Sequence, residues 1–137
     1  MRWGLGWGID AGASFGTLKY FLGLDSFVIS WVSIVFDYTG AYAMVGLAGL
    51  FKRKANLIPL AALIAGAARF IVHYISGVTV YAEWMPEQFM GMTMTSPFFY
   101  SALYNGGYML PSTILAVAVC AALMKPLTKW LNGEDLK

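Results

Sequence analysis

Charge, cysteine, histidine and proline are all scarce in this chain of 137 residues: 12% is charged, with one cysteine, one histidine and five prolines. Each scarcity excludes something. A soluble domain carries about 25% charged and roughly 45–50% apolar residues. Here the apolar share is 59%, which excludes a water-soluble globule and leaves a membrane protein as the expectation. The lone Cys120 lies beside Ala and Val in an apolar run, so a disulfide framework is excluded and a reactive thiol is not expected. His73 has no second His or Cys positioned near it, so neither a metal nor a haem centre is expected, and no cofactor. No GxxxxGK[ST] occurs, so the chain does not hydrolyse ATP by itself. A net charge of +2 is too small to point to nucleic acid.

What is present is a set of long apolar runs. They do not alternate over about 10 residues as barrel strands do, so an all-α, polytopic helical bundle is expected as a single transmembrane domain over 1–137. Four spans are predicted, at about 4–22, 28–51, 57–81 and 98–124. Asp10 interrupts the first run, which therefore reads as part of the mature body, not as a signal peptide. Arg2, Lys52-Arg53-Lys54, Lys125, Lys129 and Lys137 all fall on one side of that zigzag. The excess of basic residues inside cells then predicts that both termini are cytoplasmic. The opposite loop, 82–97, is long and rich in Met and aromatics, suited to lidding a site. Glycines at 4, 8, 12 and 16 line one face of the first span, a surface on which another helix can pack closely.

Ionisable groups inside a bilayer cost roughly 2.5–3.5 kcal/mol each near its centre, so each needs a partner or a task. Arg69, His73, Ser76 or Gly77, and Tyr81 recur at spacings near four and share a face of the third span. Ser30, Ser33 and Asp37 form a second polar stripe with Tyr38 and Tyr42 beside it, and Tyr100, Tyr104, Asn105 and Tyr108 crowd the outer part of the fourth span. These sets are expected to line an outward-facing cavity. Two roles are open for each main residue. Asp37 offers a carboxylate to a cationic or N–H-bearing ligand, or pairs with Arg69. His73 meets a heterocycle, or is a satisfied core histidine. Asn105 reads a polar ring edge, or bonds between helices. Tyr81, Trp84 and Tyr100 form an aromatic cage for a cation, or belong to the interfacial belt, the reading preferred for Trp84.

With these residues in view, the chain resembles the thiamine-specific substrate-binding (S) components of energy-coupling factor (ECF) transporters, the ThiT/YuaJ family. The resemblance rests on FDYTGAYAMVGLAGLFKRK at 36–54, RFIVHYISGVTVYAEW at 69–84 and YSALYNGGYMLPS at 100–112. It implies that Asp37 stands for the family's pocket glutamate and Tyr38 for the tyrosine after it. His73, Asn105 and Tyr100 match the pocket histidine, asparagine and tyrosine. Phe27 stands where the family has tyrosine, and Tyr81 where it has tryptophan. In the family the acid and the asparagine hold the aminopyrimidine, while aromatics and the histidine pack on the rings.

The resemblance further implies a six-helix fold of which this chain carries the last four, with truncation expected before MRWGLGWG. It implies a non-enzymatic subunit in a bacterial cell membrane that captures thiamine and works with a transmembrane coupling subunit and two ATPases. Three rivals stand beside it. They are an S component for another heterocyclic vitamin or a thiamine precursor, an intramembrane enzyme using Asp37 and His73 as an acid/base pair, and a structural membrane subunit.

Overall fold

The computed structural model describes residues 2–23 and 30–136; Phe27 lies outside the described residues. Helix α1 spans Leu5–Phe21, α2 Trp31–Phe51, α3 Ala55–Thr79 and α4 Pro97–Met124. A two-stranded hairpin, β1 (Gln88–Phe89) and β2 (Met92–Thr93), stands between α3 and α4. A short helix α5, Thr128–Asn132, closes the described chain with one further turn.

Three of these helices, α2, α3 and α4, are long and apolar enough to cross a membrane. The four-span expectation is therefore met in part. Helix α1 has 17 residues, which at about 1.5 Å per residue is close to the minimum for about 30 Å of hydrocarbon. Its glycines, Asp10 and Lys19 also dilute its apolar character.

The bundle is built with its small residues inward. Ala61, Ala65, Ser76 and Ser101 are buried, while Trp7, Phe21, Leu110, Ile114 and Leu115 are exposed. In lipid, apolar side chains gain nothing by leaving the surface, and association rests on close backbone approach and interhelical hydrogen bonds. The glycine face of α1 does this against α2. A Cβ on Gly8 would lie 2.9 Å from the Gly46 carbonyl oxygen, and Cβ atoms on Gly12 and Gly16 would collide with the carbonyls of Tyr42 and Tyr38. On the other side α3 packs on α4, where a Cβ on Gly66 would meet Thr113 at 2.7 Å.

Helix α2 changes its winding along its length. Ile34–Gly40 is a π-helical segment, with Ala41 N–H donating to Phe36 O five residues back, and Met44–Phe51 tightens to 3₁₀. Wide π turns inside helices re-aim side chains and are frequent at functional sites. Asp37 lies in the middle of this one.

Helix α4 starts where Ser96 accepts the Phe99 N–H at 3.2 Å and Pro97 supplies the first turn. Pro111 lies inside it. Directly after the proline, Ser112 Oγ donates to Tyr108 O and Met109 O at 3.0 Å, partly compensating the interrupted ladder.

Candidate functional site

The π turn of α2 directs Asp37 at α3. Its Oδ1 lies 3.0 Å from His73 Nδ1 and its Oδ2 accepts from Ser76 Oγ at 2.8 Å. Both side chains are largely buried, His73 at 11% and Asp37 at 14% exposure. Carboxylate against Nδ1 selects the tautomer that carries its proton there, so Nε2 is left as the acceptor. That atom is buried without a hydrogen-bond partner among the described residues. A buried, unpartnered ring nitrogen is a group whose hydrogen bond the described residues do not supply.

Tyr81 lies just past α3, where the chain turns back with Tyr81 N–H on Ser76 O. Its phenol interacts with Ser33 and Asp37 of α2, and burial holds its pKa above the ordinary range, so it remains a neutral donor. Tyr38, the neighbour of Asp37, is buried and packs edge-on against Tyr20 of α1 at 5.5 Å.

From α4, Asn105 reaches the other side of His73. Its Nδ2 donates to Ser101 O at 3.0 Å, Ser101 Oγ at 3.1 Å and His73 O at 3.4 Å, and its Oδ1 accepts from Tyr108 OH at 3.0 Å. Of the roles open to Asn105, the interhelical bond is therefore made in this structure. Ser101 completes the joint by donating to Tyr74 O at 2.9 Å. Gly77 keeps the space for it, since a Cβ there would lie 3.4 Å from Asn105 Nδ2 and closer still to Ser101. Asn105→Ala is expected to remove about 1 kcal/mol of bundle stability, in the range of interhelical hydrogen bonds in membranes. Denaturant titration in detergent measures it, and an unchanged midpoint would show that the joint does not hold α3 to α4.

An aromatic ladder leads from His73 to the hairpin. His73 and Tyr108 meet edge-on at 6.4 Å, Tyr108 and Tyr104 at 5.8 Å, Tyr104 and Tyr100 at 5.7 Å, and Phe89 of β1 caps Tyr100 at 5.3 Å. Tyr100 thus stands at the hairpin end of the ladder, while Asp37 and Tyr108 meet the His73 ring, Ser76 and Tyr81 meet Asp37, and Asn105 meets the His73 carbonyl. Trp84 is exposed.

Arg69 does not pair with Asp37, so the Asp37–Arg69 ion pair that the sequence left open is corrected. Its guanidinium donates to Tyr42 OH at 3.0 Å and lies 4.2 Å from the centroid of the Tyr42 ring. Lys19 donates to the same phenol at 3.0 Å. Tyr42 lies against α1, where Phe15 and Lys19 meet it, and Arg69 joins it there, while Asp37 is left to His73 and Ser76. Ser76 and Tyr108 are members of the cluster that sequence reasoning placed nearby without assigning to the site. Their signal was the helical spacing from His73 and Asn105. The Phe89 cap had only Met90-Gly91 as its sign, a pair with positive φ at both residues that makes the two-residue hairpin turn.

Among the described residues no group of three His, Cys, Asp or Glu is arranged to hold a metal. The molecule is a multi-pass membrane protein whose lipid-facing helices enclose a carboxylate, an imidazole, an amide and a run of aromatic rings. Comparison with known proteins defines the family. Residues 1–132 match the model of the thiamine transporter protein family, Thia_YuaJ. Thiamine transporter ThiT of Bacillus subtilis strain 168 is 30% identical over 146 residues, covering 97% of this chain and 72% of that protein. Thiamine transporter ThiT of Lacticaseibacillus paracasei strain ATCC 334 is 30% identical over 116 residues, and the match covers 75% of this chain and 55% of the relative. The solved structure of ThiT from Listeria monocytogenes superposes with a TM-score of 0.72 at 19% identity, over 88% of this chain and 69% of that one. The chain belongs to the Thia_YuaJ thiamine transporter family, and it is a transport protein, not an enzyme.

Proposed function

We propose that this chain binds thiamine at the Asp37–His73 cluster, as the substrate-binding subunit of an ECF-type uptake transporter with a transmembrane coupling subunit and two ATPases. One observation carries the assignment to this site: Asp37 is held by a neutral-capable imidazole and a hydroxyl, and not by the nearby guanidinium of Arg69. The Asp37 carboxylate thus has no guanidinium or ammonium partner among the described residues, and a fixed cation is the kind of ligand that would complement it inside the bundle. Thiamine brings such a cation in its thiazolium ring and N–H donors on its aminopyrimidine. A carboxylate has about four acceptor positions, so Asp37 retains room for the ligand amino group beside its two protein donors. The Tyr108–Tyr104–Tyr100 ladder offers π faces to the cationic ring.

In this reading α1 also spans the bilayer and both termini are cytoplasmic. Supporting that orientation, the basic residues converge at one end: Arg2 bonds Asp135 beside Trp130, and the Lys52 side chain lies against Gly4.

The test is a thermal-shift panel in detergent with thiamine, its separate pyrimidine and thiazolium halves, and unrelated vitamins. Thiamine at about a hundred times its Kd stabilises by about 2.7 kcal/mol, and the halves are expected to give smaller shifts. A larger shift from the pyrimidine alone would reassign the site to a precursor, and a larger one from another vitamin would reject thiamine.

A further inference from the structure

At the basic end of the bundle an open cavity of about 260 Å³ lies between the α2–α3 turn and the end of α4. Arg53, Lys54, Asn56, Met124, Thr128 and Asn132 line it. It is remote from the thiamine cluster and shares no residue with it.

The turn that presents its cations is stereochemically unfavourable for them. Lys52 at φ −52°, ψ 130° and Arg53 at φ 59° form a type II turn closed by Lys54 N–H on Phe51 O at 3.1 Å. The second central position of that turn favours glycine, yet an arginine occupies it. Neither Arg53 nor Lys54 makes an ion pair among the described residues, and both are exposed. Of the two acids near this end, Asp135 binds Arg2, and Glu134 accepts from Asn132 Nδ2 of the cavity wall at 3.3 Å without pairing with Arg53 or Lys54. The far wall is fixed by Asn132 Oδ1, which accepts the Ala55 N–H at 3.1 Å and ties α5 to the start of α3. Lys125 and Lys129 follow the lining residues Met124 and Thr128 in the chain and add positive charge to this end.

Exposed apolar residues follow the lining residues along the chain, Leu60 one turn on from Asn56 and Leu127 three residues on from Met124. Leu60 and Leu63 on α3 and Leu123 on α4 are exposed, as are Leu127 and Trp130. A soluble phosphate would use only the cations. A lipid uses both surfaces, its headgroup in the cavity and its acyl chains along the leucines. Basic pockets between membrane helices at the cytoplasmic face are suited to anionic headgroups.

We propose that this cavity binds the headgroup of an anionic phospholipid from the leaflet at the basic end, with Arg53 and Lys54 on the phosphate, the Asn56 amide on its oxygens, and Thr128 Oγ1, whose own hydrogen goes to Met124 O, accepting from a headgroup hydroxyl. At the usual attraction per basic residue near an anionic surface, losing both cations weakens the site by a factor of about 30.

The experiment is native mass spectrometry of the detergent-purified chain titrated with phosphatidylglycerol or phosphatidylcholine. It compares the wild type, Arg53→Gln/Lys54→Gln, and Lys125→Gln/Lys129→Gln, which removes equal charge outside the lining. Phosphatidylglycerol adducts are expected to dominate in the wild type, to fall about thirtyfold in the first variant and to fall several-fold less in the second, where only the surrounding charge is removed. Arg53→Gly is expected to keep or raise the unfolding midpoint, because it suits the turn, while still weakening lipid binding. Equal loss in both double variants would reduce the effect to surface charge, and an absence of preference for phosphatidylglycerol would overturn the site. Saturable binding of glycerol phosphate that matches the lipid would reassign it to a soluble phosphate.

Discussion

Replacing Asp37 by asparagine is expected to lower thiamine affinity by about a hundredfold while leaving the bundle folded. The substitution is nearly isosteric, and its amide can still accept from Ser76 and meet His73, so the joint between α2 and α3 is preserved. What disappears is the negative charge. Hydrogen bonds to charged groups contribute about 1.5–3 kcal/mol each, and the attraction to the thiazolium is lost with them, which together make two orders of magnitude a reasonable central value. Asp37→Ala is the harsher change, because it strands His73 Nδ1 and Ser76 Oγ in a buried place and is expected to lower stability as well. Isothermal titration of Asp37→Asn beside the wild type, with an unfolding curve for each, separates the two effects. Affinity within threefold of wild type in a folded variant would remove Asp37 from the site.

The second large effect is expected at Gly16, well away from any ligand. A Cβ there would run into the Tyr38 carbonyl and come within 2.9 Å of Tyr42 Cβ, and neither the backbone nor a Cβ can rotate away. Helix α1 must then separate from α2. Overpacking of this kind costs about 1–3 kcal/mol, and in a bundle held by close contact the upper part of that range is expected for Gly16→Ala. Gly6→Ala on the same helix is the control, because nothing lies within 4 Å of the added atom. Its effect should be neutral or slightly stabilising, since alanine favours helix over glycine. The collision at Tyr38 falls one residue from Asp37, so Gly16→Ala is also expected to weaken thiamine binding through displacement of the π turn. Denaturation midpoints and thiamine isotherms of the two variants check both statements. Equal stability of Gly16→Ala and Gly6→Ala would show that α1 is not docked through its glycines.

Much of this was legible because a membrane imposes simple rules. Apolar runs predicted at 28–51, 57–81 and 98–124 fold as Trp31–Phe51, Ala55–Thr79 and Pro97–Met124, since backbone polar groups in hydrocarbon leave helices as the economical solution. The spacing of Gly8, Gly12 and Gly16 disclosed a packing face before any partner was known, and that partner is α2. Asp37 and His73 stood out because an ionisable group in an apolar run is costly and therefore has a reason.

Less legible was the pairing among those groups. Simple helical phase gave no warning of the π winding at Ile34–Gly40, which re-aims side chains along α2. The Asp37–Arg69 pair, one of the two roles open to Asp37, is not made, and Asp37–His73 and Arg69–Tyr42 stand in its place. Asn105 was open between ligand and helix because an amide serves either equally well, and only the position of Ser101 and the His73 carbonyl decides its bonds here. The hairpin that caps Tyr100 was read as irregular loop, since strands of two residues carry no periodic pattern.

The most direct test of the central claim is calorimetric titration of thiamine into the wild-type chain reconstituted in lipid nanodiscs. A saturable one-to-one isotherm is predicted, with release of binding heat that a prior excess of unlabelled thiamine abolishes. A folded chain that gives no saturable signal up to millimolar thiamine would contradict the assignment of the Asp37–His73 cluster as its binding site.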